Sequence, residues 1–491
     1  MTATFGRREV ATAALWRITE IALSEGASFA VFLLLAHLVA PEAFGTVALA
    51  SVCVAVGMPF LFQGLVEALV QQPKLTRSLL DSAFWLNIAL GSVLALAAFL
   101  LAPALGRLLE DGRFAEALRA LSPVFLLAAG SAVFQAQLRR ELRFRAFTMR
   151  TVLAVLGGGI LGIVLAAFGY GFWALVGQQL AYNAIALAVL ASRSDWRPRL
   201  AFRLIHLRKL TAFGRYTTFC ALTDFLIGRA DVLVVGLFLP SASVALYYFA
   251  KRLVFAAGMF TYYSIQQVGL PVIARGFLNE PSEASRVRVA SGALATAMLV
   301  CGPALAGLAL VAPEVTAIAG GRAWQGAEPA LALLALGAIF HGLRITTGQI
   351  LVGAGRPDAY VPLTVANALA SLFLIALGAQ WSLTGAAAGA ALAPLLALPL
   401  ALATLARTMA VERSALLEPL YRAALPTLAM VGVVILLGNN ADATPVARLF
   451  ARAGLGAFVF AAATVVVFPA AVYAHARRLS QRLAVAPPGA T

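Results

Sequence analysis

Apolar residues run through this chain in long, nearly unbroken stretches, without the short alternation of a half-buried strand. A helix needs about 20 predominantly apolar residues to cross the hydrocarbon of a bilayer. By that measure the sequence predicts fourteen spans, near residues 12–37, 45–70, 82–106, 117–138, 147–168, 171–191, 212–238, 245–272, 289–312, 328–352, 358–379, 383–406, 423–438 and 447–474. The stretches between them are short, so no separate soluble domain is expected. Residues 1–10 lack the apolar core and cleavage site of a signal peptide, and the first run is expected to stay as a span.

A shift of 200 residues lays helices 1–2 on helices 7–8. Leu33–Ala50 then faces Leu233–Ala250, and both read as apolar helix, proline-containing turn and new helix. The same offset sets Glu67 opposite Gln267 and Ser24 opposite Asp224. Repeats of this kind build many transporters. The expected fold is all-α, a polytopic membrane protein of two pseudo-symmetric six-helix lobes (1–210 and 211–410). Two extra transmembrane helices and a tail (411–491) follow.

Composition fixes the solvent. AVILMFWYC residues make up 62% of the 491 positions, charged residues only 12%, and mean hydropathy is +0.90. A water-soluble chain of this length could not hide so much hydrocarbon. The formal charge of +16 would suggest nucleic acid in a soluble protein, but here it reports topology. With the N-terminus in the cytoplasm, 27 of the 37 Lys and Arg residues fall on the cytoplasmic side, 6 on the other side and 4 within spans. That asymmetry is the positive-inside signature. It predicts a multi-pass protein of the inner (plasma) membrane with both termini cytoplasmic, and no nucleic-acid partner.

No enzyme motif survives inspection. Residues 353–359 (GAGRPDA) lack the Lys-Ser/Thr end of a phosphate loop. Gly157, Gly159 and Gly162 satisfy G-x-G-x-x-G, but inside a helix with no strand before it, where glycines let helices approach. The four histidines are scattered, and Cys53, Cys220 and Cys301 sit in apolar spans as small packing residues. No cofactor, metal site or disulfide framework is expected.

Ionisable groups inside spans carry the information, because facing lipid costs each several kcal/mol. Helix 1 holds Glu20 and Glu25; helix 2 holds Glu67, flanked by Gln63 and Gln71. Helix 7 holds Asp224 and Asp231 with Arg229 between them. Helix 8 holds Lys251 and Arg252 among Tyr247, Tyr248, Tyr262, Tyr263, Gln266 and Gln267, and helix 10 holds Arg344 one turn after His341. One reading makes them structural ion pairs, with Glu20 near the interface beside Arg17. Lys251 and Arg252 would snorkel if helix 8 began later than drawn. Their confinement to helices 1, 2, 7, 8 and 10 favours a polar cavity shared by the two halves.

Basic groups at depth suit a pyrophosphate, which a guanidinium binds through a fork of donors. Tyrosine rings and glutamine amides suit sugar. A lipid-linked oligosaccharide joins both. The candidate substrate contacts are Arg229, Lys251, Arg252, Arg344, Tyr247, Tyr263, Gln63 and Gln267. Candidates for ion or proton coupling are Glu20, Glu25, Glu67, Asp224 and Asp231.

Four short motifs point the same way: residues 38–45 (LVAPEAFG), 139–144 (RRELRF), 169–180 (GYGFWALVGQQL) and 196–202 (WRPRLAF) before Phe213-Gly214. With the fourteen spans, they resemble Wzx-type polysaccharide flippases. The resemblance is to the colanic-acid-exporter-like branch of the multidrug/oligosaccharidyl-lipid/polysaccharide superfamily, and it is best over residues 10–275. It implies two six-helix lobes around a central cavity, alternating access, and undecaprenyl-pyrophosphate-linked repeat units as cargo held by basic residues. The matching positions are Lys251 and Arg252 in an Ala-Lys-Arg-Leu run, then Arg229 and Arg344. Residues 244–247 read Val-Ala-Leu-Tyr where the family shows Leu-Gly-x-Tyr.

Competing readings on this fold are a cation-coupled multidrug exporter, whose cavity should be net acidic, and a lipid II flippase. A scaffold for a glycan synthase complex would need no buried charge. Expected partners are the lipid-linked substrate, membrane lipids, a polysaccharide polymerase and glycosyltransferases, with the chain itself a monomer.

Overall fold

A computed structural model describes residues 24–203 apart from 71, 73, 74 and 142, the single positions 218, 222 and 225, and residues 228–279, 282–438 and 444–469. Every regular element among them is helical. Hydrocarbon offers the backbone no hydrogen-bond partner, and a helix satisfies its own N–H and C=O groups along one segment. The first half comprises α1 (Ser24–Leu38), α2 (Pro41–Val70), α3 (Arg77–Leu108), α4 (Phe114–Leu121), α5 (Pro123–Arg140), α6 (Phe144–Ala167) and α7 (Phe172–Arg193). Then come α8 (228–238), α9 (Ser241–Phe260), α10 (Tyr262–Asn279), α11 (Glu283–Leu310), α12 (Ala312–Ala319) and α13 (Glu328–Gly353). The chain continues with α14 (Pro357–Ala379), α15 (Leu383–Met409), α16 (Arg413–Leu437) and α17 (Pro445–Val467).

Eleven of the described helices are long and apolar enough to cross a membrane, counting α4–α5 as one. They fall on eleven of the fourteen predicted spans. Two of the others, 12–37 and 212–238, extend outside the described residues. The third, 245–272, is not one helix. It starts earlier, at Ser241, and breaks at Thr261, whose hydroxyl bonds back to the carbonyls of Ala257 (3.1 Å) and Gly258 (3.4 Å). The early start removes the snorkelling alternative, because Lys251 and Arg252 now lie in the middle of the 20-residue α9.

Two more expectations change. The run 117–138 is two helices, α4 and α5, divided at Pro123, which has no N–H to continue α4 and is well placed in the first turn of α5. The connection between the predicted spans 289–312 and 328–352, where no element is predicted, holds α12 and a 3-10 turn, Arg322–Trp324. The element order repeats: a long helix, an eight-residue helix and another long helix occur as α3–α4–α5 and again as α11–α12–α13.

The chain forms two compact units. Unit 1 comprises Met1–Phe249, Ala319–Trp324 and Ile375–Ala386; unit 2 comprises Ala250–Ile318, Gln325–Leu374 and Ala387–Thr491. In unit 1, glycine sets the approach of α6 to α7. A methyl on Gly158 would press on the Gln178 carbonyl at 2.8 Å and the Tyr182 nitrogen at 3.0 Å, and one on Gly159 would meet Val31 of α1 at 2.5 Å. The G-x-G-x-x-G pattern therefore serves helix packing. At the other end of the unit's helices, buried Asp81 of α3 accepts from the indole of Trp196 (3.1 Å) and the N–H of Arg199 (3.2 Å). Trp85 donates to the Arg199 carbonyl at 2.7 Å, so residues 196–203 lie strapped along α3.

In unit 2 the strongest tie is ionic. Glu314 of α12, 2% exposed, meets Arg452 of α17 at 3.0 Å and Arg448 at 4.0 Å. Arg452 also donates to the carbonyls of Gly438 (2.9 Å) and Leu310 (3.4 Å), so one guanidinium joins the ends of α16 and α11 to α12. Removing one member of a buried pair strands the other, so Glu314→Ala should cost about 2–3 kcal/mol, below a fully buried pair because Arg452 is partly exposed. The measurement is thermal melting in detergent. A melting temperature equal to wild type would show that the pair contributes nothing.

Candidate functional site

Among the described residues of unit 2, three candidate cations lie well inside long helices: Lys251 and Arg252 on α9 and Arg344 on α13. The carboxylates on its long helices, Glu283, Glu328, Asp358 and Glu418, all lie in the first or second turn. Arg344 is 4% exposed, and its Nε and Nη1 have no hydrogen-bond partner. Residues Gly342 through Leu351 are buried without exception, so this stretch of α13 offers the guanidinium no exposed surface along which to snorkel. An arginine stays charged and carries five donors. This one is buried in its unit with the Nε and Nη1 donors unused.

Its neighbours come from α9, α10 and α11. His341 lies one turn before Arg344 on the same helix. The His341 ring meets Tyr262 edge-on at 5.5 Å, and Tyr262 lies 4.7 Å from Tyr263. Gly342 allows this crowding, because a methyl there would meet Cys301 Sγ at 3.0 Å and Tyr262 at 3.1 Å. Tyr263 packs on Phe255, whose face also carries the Arg252 guanidinium at 5.5 Å. Further along α13, Gln349 donates to the Gln266 carbonyl at 2.7 Å while its own Oε1 stays buried without a partner.

The other candidates belong to unit 1. Asp231 of α8 and Glu25 of α1 are half-buried, and Arg229 is exposed. Tyr247 is completely buried, and its hydroxyl donates to Asp231 at 3.1 Å, so it positions a carboxylate from inside the packing. Glu20, Asp224 and Gln71, with the side chains of Gln63, Glu67 and Gln267, lie outside the described residues. The structure thus gathers Lys251, Arg252, Tyr263 and Arg344 in unit 2, and places Glu25, Arg229, Asp231 and Tyr247 in unit 1.

Sequence reasoning passed over Asp81, Glu314 and Gln349. A signal existed for one of them: Arg448 and Arg452, four apart on one face of a helix with few other charges, needed an acid.

The sequence matches, over residues 34–329, the profile of a family described as "Polysaccharide biosynthesis protein". Succinoglycan biosynthesis transport protein ExoT of Rhizobium meliloti is 26% identical over 336 residues, 68% of this chain and 67% of that protein. Lipopolysaccharide biosynthesis protein WzxC of Escherichia coli is 24% identical over 376 residues, 76% of each. Among solved structures, the lipid II flippase MurJ in an inward closed conformation aligns with a TM-score of 0.76 at 14% identity, covering 94% of this chain and 100% of that one. An inward-facing multidrug resistance MATE family transporter of the MOP superfamily aligns at 0.60 and 16% identity, covering 79% and 94%. At such identities these two show a shared fold.

Arg344 makes an unusual prediction for a buried residue. Replacing a stranded charge by an apolar side chain of similar length is neutral or stabilising. Arg344→Met should therefore keep or raise the melting temperature in detergent. A fall of several degrees would mean that Arg344 holds the unit together.

Proposed function

The chain belongs to the polysaccharide biosynthesis protein family, and on that premise we propose that it carries an undecaprenyl-pyrophosphate-linked oligosaccharide, one repeat unit of a polysaccharide, across the inner membrane by alternating access. It is a transporter, not an enzyme. The observation that carries the reading is Arg344, a buried cation whose Nε and Nη1 have no hydrogen-bond partner, with Lys251 and Arg252 on α9 in the same unit. A pyrophosphate supplies the charge and the acceptor oxygens that such a group lacks. The rings of Tyr262 and Tyr263 beside it offer apolar faces to sugar.

Two of the candidate carboxylates, Glu25 and Asp231, belong to unit 1, and Arg344 belongs to unit 2. The two carboxylates serve ion or proton coupling, with Tyr247 holding Asp231 in place. The cationic character of unit 2 supports an anionic cargo over the cationic drugs of a multidrug exporter. The curated relatives named above, a succinoglycan transport protein and a lipopolysaccharide biosynthesis protein, favour polysaccharide repeat units over lipid II. The two lobes are residues 1–210 and 211–410, both termini lie in the cytoplasm, and the chain works as a monomer. Glycosyltransferases deliver its substrate and a polysaccharide polymerase takes it on.

The test is translocation of fluorescent lipid-linked oligosaccharide in proteoliposomes, read as protection from an external sugar-cleaving enzyme. Arg344→Met should slow transport by about tenfold or more, equivalent to at least about 1.4 kcal/mol of lost stabilisation. Lys251→Ala combined with Arg252→Ala should do the same. An unchanged rate in both variants would refute the assignment.

A further inference from the structure

Unit 1 includes two short stretches from far along the chain, Ala319–Trp324 and Ile375–Ala386. They span the connections between α12 and α13 and between α14 and α15, which the orientation proposed above puts on the side away from the cytoplasm. The start of α9 joins them there. A methyl on Gly45 of α2 would strike the backbone carbonyl of Ser241, so these two helix starts meet backbone to backbone.

Trp324 is the centre of this packing and is completely buried. Its ring stacks on Phe249 of α9, with centroids 4.5 Å apart and planes 24° apart, and meets Phe44 of α2 edge-on at 5.3 Å. Phe32 of α1 completes the cluster, 5.9 Å from Phe44 and 5.8 Å from Phe249. The indole Nε1 donates to the carbonyl of Ala36 at 2.8 Å. Ala36 lies in the last turn of α1, where carbonyls have no partner within the helix. The cluster therefore binds α1 and α2 of the first half to α9 and the 322–324 turn of the second, through apolar rings and one hydrogen bond. Such a contact excludes water and ions, yet it separates without breaking an ion pair.

We propose that this aromatic cluster is the gate that seals the chain on the side away from the cytoplasm, and that Trp324 is its bolt. Cargo leaves only when the indole withdraws from Ala36 and Phe249. The proposal rests on the transport reading and its orientation, and the experiment separates their failures.

In a background with Cys53, Cys220 and Cys301 replaced by alanine, Phe44→Cys and Trp324→Cys are joined by a short bis-methanethiosulfonate and assayed in proteoliposomes. The joined protein should transport at least about tenfold more slowly, with recovery after dithiothreitol. Transport at the unjoined rate would overturn the gate and leave the transport reading intact. Absence of transport in the unjoined protein and the unmodified chain would count against the transport reading instead. A cargo-independent arm then decides the gate: labelling of Ala36→Cys by an impermeant maleimide from the outer side. Trp324→Ala should speed that labelling severalfold, with Trp324→Phe in between because it keeps the stack and loses the hydrogen bond. Labelling unchanged by Trp324→Ala would overturn the proposal.

Discussion

Taking a charge out of water into a packed, apolar interior costs several kcal/mol unless a counter-charge or a full set of hydrogen bonds goes with it. Much of this structure is arranged around that cost. Asp81 meets it with an indole and a backbone N–H. Glu314 meets it with Arg452, which also takes up two carbonyls at helix ends. Arg344 does not meet it, because Nε and Nη1 are buried and unpartnered in a stretch of α13, residues 342–351, that is buried throughout. A group held in so costly a state is explained when its partner arrives from outside, and a transporter needs such a place for an anionic cargo.

The remaining contacts let helices move as well as pack. Glycines on α6 bring it against α7 so closely that an added methyl would touch backbone. The cluster around Trp324 depends on aromatic surfaces and one hydrogen bond. The ion pair at Glu314 lies on α12, the short helix that leads into the Trp324 turn, and anchors the end of that helix distant from the turn. Firm polar ties thus hold Asp81 and Glu314 in place, while the proposed gate is sealed by contacts that separate cheaply.

The spans were legible because lipid imposes a length and a hydropathy on every crossing helix, and short connections left little freedom in segmentation. Where the sequence misled, local chemistry competed with hydropathy. An otherwise continuous apolar run is interrupted at Thr261, between α9 and α10, which hydropathy does not register. Glu314 and Trp324 fall in a connection where no element is predicted, and their partners lie 138 and 288 residues away by the Arg452 and Ala36 contacts. The cations of the site were visible as charges inside spans. That Arg344 is the stranded one, while Tyr247 is tied to Asp231, needed the three-dimensional arrangement.

The central claim is that Arg344 is left unpaired for a pyrophosphate. The most direct measurement is the thermal shift that undecaprenyl pyrophosphate gives the purified protein, with undecaprenol as the uncharged control. The pyrophosphate lipid should raise the melting temperature of the wild-type chain well above the effect of the alcohol, and that difference should vanish in Arg344→Met. An equal difference in the two proteins, or none in the wild type, would contradict the claim.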